Sequence, residues 1–327
     1  MTASHQITRL PHEVYRFTLQ ALGPMRVPRF KGSALRGLLG HSLKRVVCAL
    51  RHERCPACLV RDSCTYQRVF ETRVDPAQGP KRGVDTAPHP YVLEPPEDER
   101  TELAQGDEIS CTLVLFGPAR GILPYLVYTF QEMGRRGITV ERKPMALARV
   151  DALGAEGWQT VFDPAEGRLR AAAVEAPEPA VIRLDGRLTL ELATPLRLKS
   201  RGRLVTHLDP RTLVVALGRR WMDLRRYYGD PPDRGAFQGL LAAAEGLKVR
   251  QAQVSWLDWP RYSNRQQTRM HLGGLRGVVE LEGDLAPLAP WFAWAERFHV
   301  GKATAFGLGK VRARACPSRE HSQEEIP

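Results

Sequence analysis

Two histidines in this 327-residue chain lie close to lysines: His41 precedes Lys44 by three residues, and His299 precedes Lys302 by three. An imidazole titrates near neutral pH and can act as a general acid or base. A neighbouring ammonium can stabilise negative charge that develops during a reaction. We therefore take His41, Lys44 and His299 as candidate catalytic residues. The alternative for His41 is an ordinary solvated histidine.

His299 opens a glycine segment, residues 299–310, which contains three glycines and two lysines. Glycine permits positive φ and close backbone approach, and consecutive unpaired N–H groups can form an anion-binding concavity. The segment predicts a phosphate-binding loop, or alternatively a plain glycine-rich hairpin. It matches neither the P-loop pattern nor the dinucleotide fingerprint, because the order here is helix, glycines, strand.

Basic residues are concentrated in parts of the chain. The whole sequence has 48 Lys/Arg and 36 Asp/Glu, a formal net charge of +12 with a pI near 9.7. Residues 197–276 hold 16 basic and 6 acidic residues, mixed with aromatic and amide side chains. This composition predicts binding to a polyanion, and RNA in particular. The candidate RNA-binding residues are Arg197, Lys199, Arg201, Arg203, Arg261, Arg265, Arg269, Gly301, Lys302, Gly307, Gly309 and Lys310.

Four of the six cysteines fall within 17 positions: Cys48, Cys55, Cys58 and Cys64. In a reducing compartment such spacing predicts a metal site rather than disulfides. Four thiolates suit a structural zinc ion or, alternatively, a [4Fe–4S] cluster. Four protein ligands would leave no open coordination position, so we expect no cofactor for catalysis.

Other features limit the class of protein. The first residues lack the apolar region of a signal peptide, and no apolar run is long enough to span a membrane. We therefore expect a cytoplasmic protein without membrane contact. No zincin motif, nucleophile elbow or two-metal carboxylate cluster is present. If the protein cleaves RNA, we expect it to do so without metal, with the ribose 2′-hydroxyl as the nucleophile.

The hydrophobic periodicity predicts two similar sets of elements. A strand at 14–22, a helix from Ser33, strands at 91–93 and 108–116, a helix at 123–136 and an extended segment at 138–150 form the first set. A linker at 171–180 precedes the second set: strands at 187–192, 248–257, 277–281 and within 305–315, and helices at 210–228 and 287–297. Each order is βαββαβ. We predict an α+β fold with two tandem ferredoxin-like (RRM-like) domains, 1–175 with a cysteine-rich insert (48–64) and 181–316, followed by a polar tail (317–327).

Several motifs of the chain resemble those of a known family. They are Lys31-Gly32-Ser33-Ala34-Leu35-Arg36-Gly37, the four-cysteine insert, Pro90-Tyr91-Val92-Leu93-Glu94-Pro95-Pro96, Leu115-Phe116-Gly117, Thr194-Pro195-Leu196-Arg197, Arg261-Tyr262-Ser263-x-Arg265-Gln266, Gly273-Gly274-Leu275-x-Gly277 and His299 to Gly309. From about Phe30 to Val311 the chain is similar to the CRISPR-associated precursor-RNA processing endoribonucleases, family six of the CRISPR-associated proteins within the RAMP superfamily.

The resemblance implies tandem ferredoxin-like domains, recognition of CRISPR repeat RNA, and metal-independent cleavage of the precursor to crRNA that leaves a 2′,3′-cyclic phosphate and a 5′-hydroxyl. A histidine near the first helix is frequent among the family's catalytic residues, and His41 matches that placement. The alternative is a non-catalytic RAMP-type subunit that binds crRNA alongside other CRISPR effector subunits. A third interpretation, a basic metalloprotein scaffold, explains the cysteines but not the arginine-rich segments.

Overall fold

The computed structural model describes residues 9–51, 55–72, 87–138, 141–171, 173–230, 234–263 and 268–316. The fold is a mixture of helices and antiparallel sheets, which confirms the predicted α+β class. The helices are α1 (Gly32–Val47), α2 (Leu123–Arg136), α3 (Pro210–Tyr228), α4 (Arg234–Glu245) and α5 (Ala289–Phe298). The strands are β1 (His12–Ala21), β2 (Met25–Arg26), β3 (Tyr91–Glu94), β4 (Glu102–Leu103), β5 (Glu108–Phe116), β6 (Met145–Gly154), β7 (Gly157–Asp163), β8 (Arg168–Leu169), β9 (Arg187–Leu196), β10 (Lys199–Ser200), β11 (Arg203–Leu204), β12 (Lys248–Ser263), β13 (Thr268–Glu282) and β14 (Val311–Ala315).

The first half of the chain forms a sheet in the order β3-β5-β1-β6-β7-β8, and all neighbouring strands are antiparallel. Alternate residues of a strand face opposite sides of a sheet, so one side of β1 carries Tyr15, Phe17 and Leu19. These side chains pack against α1 and α2 in a common core. Leu35, Leu39 and Leu43, spaced by four residues, give α1 its buried stripe.

The second half forms a sheet in the order β12-β13-β9-β14. Leu188, Leu190 and Leu192 of β9 lie in one core with apolar residues of α3, α4 and α5. Helix α3 begins where the sequence predicts it, because Asp209 caps it: its carboxylate accepts hydrogen bonds from the Thr212 backbone N–H at 2.9 Å and from the Thr212 hydroxyl at 2.7 Å.

The two halves share a core. The core cluster of the second half also contains Leu10, Val92 and Phe116 from the first half. The Phe116 ring lies edge-on to Tyr228 and Phe298, with ring centroids 5.5 and 5.2 Å away. Because apolar side chains of both sheets exclude water together, the sheets are held in a fixed relation.

Several elements differ from the expectations. Helices α2 and α3 have the predicted bounds, whereas strands β7 and β8 and helix α4 were not predicted. Hairpin β12–β13 is longer than the predicted strands. The polar tail 317–327 lies outside the described residues. No helix among the described residues is long and apolar enough to cross a bilayer.

Candidate functional site

The glycine segment has the predicted order of helix, glycines and strand, since α5 ends at Phe298 and β14 begins at Val311. Its glycines have positive φ: 83° at Gly301, 88° at Gly307 and 74° at Gly309. However, eight of its backbone N–H groups donate to the protein itself, those of His299, Val300, Lys302, Phe306, Gly307, Leu308, Gly309 and Lys310. These eight groups are therefore not free to form an anion-binding concavity, which corrects the expectation for these positions.

The glycines serve close packing instead. A Cβ atom at Gly307 would collide with Pro95 of the first half, one at Gly309 with the Val300 carbonyl, and one at Gly301 with the Arg197 carbonyl. Ala305, in the same segment, belongs to the core of the first half. The segment thus packs between the two halves of the chain. We call this contact, between residues 299–310 and the residues of β3 and Pro95, the joint.

His299 lies inside this joint. Its side chain has no exposed surface. Nδ1 is 3.0 Å from the Leu308 carbonyl oxygen and Nε2 is 3.2 Å from Glu94 Oε1. Both ring nitrogens therefore face oxygen acceptors of the protein. This burial argues against direct contact between His299 and a bound substrate, and it indicates a structural role for the residue.

Glu94 is the centre of a largely buried ionic network. Its second oxygen is 2.9 Å from the ammonium of Lys310, which also contacts Glu97 at 2.9 Å. Burial alone would raise the pKa of Glu94, but the His299 hydrogen bond and the Lys310 charge together lower the pKa to about 2. Burial also opposes the charge of Lys310, yet Glu94 and Glu97 raise its pKa. Lys310 therefore holds the joint together rather than facing solvent.

His41 has the opposite environment. It is exposed on α1, on the side away from the buried leucines. Lys44 is half-buried one turn further along, and Arg45 beside it is exposed. Residues three and four apart are neighbours on a helix surface, so His41, Lys44 and Arg45 share one face.

Helix α1 is connected directly to the glycine segment. A Cβ atom at Gly32 would collide with the Phe306 carbonyl and the Phe30 ring. The guanidinium of Arg36 lies 5.0 Å from the Phe306 ring centroid and 5.1 Å from that of Phe70. The helix that carries His41 therefore begins against the glycine segment.

The arginine-rich stretch adjoins the same segment. The carbonyl of Arg197 accepts a hydrogen bond from the Lys302 N–H at 2.9 Å, and its guanidinium donates to the Gly273 carbonyl at 2.9 Å. Lys199, Arg201 and Arg203 are exposed on the β10–β11 hairpin, and Lys302 is exposed beside it. Arg261 belongs to strand β12 and Arg269 to strand β13. Arg265 lies outside the described residues.

Sequence reasoning missed three pairs near this surface. His271 Nδ1 is 3.1 Å from Asp258 Oδ2 on the β12–β13 hairpin. The Phe30 ring stacks on Trp259 with centroids 3.8 Å apart. Glu99 pairs with Arg276 at 2.8 Å. Of these, only the His271 pair had a local signal, since a hairpin register through 258–273 brings both residues together.

The four cysteines form no disulfide in the structure. Cys48, Cys55, Cys58 and Cys64 are free and half-buried. Within the described residues, no three His, Cys, Asp or Glu side chains are arranged to hold a metal ion. The zinc or iron–sulfur site therefore stays a prediction. Metal analysis of protein purified with and without air tests the prediction directly.

Comparison with known families identifies the chain's relatives. Residues 190–311 match the family model described as CRISPR-associated endoribonuclease Cas6. Residues 10–174 match the family model AF_1859_N, which describes an N-terminal domain. The chain belongs to the Cas6 family.

Individual proteins are also similar to this chain. An uncharacterized protein of Archaeoglobus fulgidus is 26% identical over 219 residues, which cover 66% of this chain and 70% of that protein. A Cas6 product complex has 16% identity, covers 93% of this chain and 100% of its own, and gives a TM-score of 0.56. Thermus thermophilus Cas6 has 16% identity over 94% of this chain and 100% of its own, with a TM-score of 0.54. At these identities the structures show that the chain has a Cas6 fold.

Proposed function

We propose that this Cas6-family chain is an endoribonuclease that binds CRISPR repeat RNA and cleaves the precursor without a catalytic metal. The observation that carries the proposal is the connection of three features. The glycine segment contacts Arg197, next to the β10–β11 hairpin, through Lys302, and it contacts the start of the helix bearing His41 through Phe306. A phosphate chain bound by Lys302 and the hairpin would pass beside the start of α1.

The chemistry follows from what RNA and this face of α1 offer. The 2′-oxygen attacks the adjoining phosphorus while its proton moves to a base, and the P–O5′ bond breaks while an acid protonates the 5′-oxygen. The products are a 2′,3′-cyclic phosphate and a 5′-hydroxyl. In this proposal the exposed imidazole of His41 is the acid or the base, and the Lys44 ammonium stabilises charge on the phosphorus oxygens.

The topology supports a more specific fold assignment. We infer that 1–175 and 181–316 are ferredoxin-like domains. In the order in which the four main strands of each half occur along the chain, both sheets have the arrangement second, third, first, fourth. In each half a helix follows the first strand and another follows the third. This is the arrangement expected from a βαββαβ unit.

The test is cleavage of repeat RNA in the presence of EDTA. We expect the wild-type protein to cut at one position and His41→Ala to bind the RNA without cutting it. His207→Ala, a change at another exposed histidine, should cleave as the wild type does. Once the position is mapped, a 2′-deoxy substitution at that nucleotide should abolish cleavage. Specific binding without cleavage by the wild type would instead indicate the non-catalytic crRNA-binding subunit.

A further inference from the structure

A cluster of three arginines surrounds one glutamate on the outer surface of α1 and α2. Glu132 Oε1 is 3.2 Å from Arg45 Nε and 3.9 Å from Arg136 Nε, and Oε2 accepts from Arg135 Nε at 3.2 Å and Nη2 at 3.0 Å. The Glu132 side chain is only 14% exposed, whereas those of Arg45 and Arg135 are 68% and 70% exposed. We call Glu132, Arg45, Arg135 and Arg136 the Glu132 cluster.

The Glu132 cluster has more positive charge and more donors than its carboxylate can use. Three guanidinium groups and one carboxylate give a net charge of +2. Each guanidinium has five N–H donors, while one carboxylate accepts about four hydrogen bonds. Glu132 therefore orients the three guanidinium groups and leaves most of their donors available to another anion.

A purely structural explanation accounts for only part of this arrangement. Basic residues in the last turn of a helix favour its dipole, and the Arg45–Glu132 pair links α1 to α2. A single arginine on each helix would be enough for both effects. Exposed ion pairs contribute only about 0–1 kcal/mol each, so stability gives little reason for a third guanidinium.

The directions of the helices bring the Glu132 cluster beside His41. Strands β1 and β3 both run antiparallel to β5, so α1, which follows β1 and precedes β3, runs against β1. Helix α2 follows β5 and precedes β6, which runs against β1, so α2 runs with β1. The two helices are therefore antiparallel.

Because Arg45 meets Glu132, the residue four positions after Glu132 lies level with the residue four positions before Arg45. Both steps are one helical turn, about 6 Å. Arg136 therefore lies level with His41. The oriented guanidinium groups of the Glu132 cluster therefore lie next to the exposed face of α1 that carries His41.

We propose that the Glu132 cluster binds a backbone phosphate of the RNA strand next to the one cleaved beside His41; this rests on the proposed function. Guanidinium forks match phosphate geometry and bind it bidentately. In this assignment Arg45, Arg135 and Arg136 contact the phosphate, and Glu132 is a positioning residue that holds them in place and competes with the phosphate for their donors.

The opposite signs expected for the arginine and glutamate variants test the proposal. The affinity for repeat RNA is measured against salt concentration in a His41→Ala background, so that cleavage does not interfere. Arg135→Ala/Arg136→Ala should weaken binding roughly tenfold and reduce the slope of log K against log salt by about 1. Glu132→Gln should strengthen binding, because it removes the competing carboxylate.

Arg149→Ala is the matched control. Arg149 is also an ion-paired arginine of the first half, 3.1 Å from Glu108, on a strand rather than on α1 or α2. It should leave the affinity and the slope unchanged. If the cluster only joins the helices, Glu132→Gln and the double arginine variant should both weaken binding or leave it unchanged, which would overturn the proposal. If His41→Ala alone shows no salt-dependent binding of repeat RNA, the proposed function itself fails.

Discussion

Glu94 connects the glycine segment to the first half at the level of single side chains. It sits on β3, 205 residues from His299 in sequence, and accepts from both His299 and Lys310. Removing its charge would leave the Lys310 ammonium with only Glu97 as a carboxylate neighbour among the described contacts. Leaving a largely buried charge partly unpaired destabilises the folded state, so we expect Glu94 to stabilise the contact between the two halves.

Glu94→Gln should lower the free energy of unfolding by on the order of 3 kcal/mol at neutral pH. Because the folded-state pKa of Glu94 is about 2, below its ordinary value of 4.5, its contribution is full above pH 4.5 and is lost as the pH falls towards 2. Urea unfolding of both proteins between pH 7 and pH 3 should therefore show the gap in stability narrowing as the pH falls.

Glu108→Gln is the control for this experiment. Glu108 is also paired with an arginine, but its side chain is 39% exposed. We expect a change below about 1 kcal/mol at neutral pH. An equal loss in both variants would contradict the special role of the buried network around Glu94.

Lys302 offers a simpler prediction for the same segment. Its ammonium is exposed while its backbone N–H is tied to Arg197. Lys302→Ala should therefore leave the urea midpoint unchanged, weaken repeat-RNA binding and reduce its salt slope by about 0.7–0.9. Lys248→Ala, an exposed lysine at the opposite end of the β12–β13 hairpin from Arg261, should change neither quantity. Equal affinity and slope in Lys302→Ala and wild type would remove Lys302 from the RNA-binding surface.

The two histidines show how far the sequence alone could be used. Three leucines at helical spacing are enough to predict that His41 faces solvent, because helical periodicity is local. His299 is buried in contact with Glu94, and no local pattern connects the two residues. Residue types could therefore nominate both histidines, but only the tertiary contacts distinguish them.

The glycine segment as an element owes its shape to close backbone contacts. Gly309 has φ of 74° and leaves no room for a Cβ atom beside the Val300 carbonyl. Gly202 has a similar φ of 81°, but a Cβ atom there would meet nothing within 4 Å. A side chain would suffer the strain of a positive φ at both Gly309 and Gly202. Only at Gly309 would it also collide with neighbouring atoms.

Gly309→Ala should therefore destabilise the protein well beyond Gly202→Ala. The strain of positive φ alone costs about 1 kcal/mol, which is what we expect at Gly202. At Gly309 the collision with backbone adds several kcal/mol or displaces the segment, and RNA binding should weaken as well. Thermal unfolding and RNA binding of both variants test this. Similar unfolding temperatures and RNA affinities for the two variants would show that the segment can move to accommodate a Cβ atom at Gly309.

Elements were predictable where their signals were local. Helix α3 has a proline at its first position and a capping Asp209, so its start is encoded in adjacent residues. Strands β7 and β8 lie at the outer edge of the first sheet, and buried and exposed residues do not alternate along β7, so its sequence carries little strand signal. The hydrogen bonds that occupy part of the loop could not be predicted locally, because some acceptors of its N–H groups, such as the Pro195 carbonyl, lie about a hundred residues away.

At the scale of the whole molecule, the shared core decides whether the halves unfold separately. Phe116 of the first half is fully buried against residues of the second. Phe130 is also fully buried, but it stacks on Phe17 within the core of the first half, with centroids 3.9 Å apart. A change at Phe130 therefore acts directly on one half only.

We expect the two halves to unfold in a single transition. Five of the six tryptophans lie in 181–316, so a Trp158→Phe background makes fluorescence a probe of the second half. Cys111 of the first half is buried, so we expect its thiol to react on unfolding and to report on that half. Phe130→Ala should cost about 3–5 kcal/mol and move both urea transitions equally, because loss of one half exposes the shared core of the other. A shift of the Cys111 transition alone would show that the halves fold independently, and the joint at Glu94 would then be a contact between separate domains.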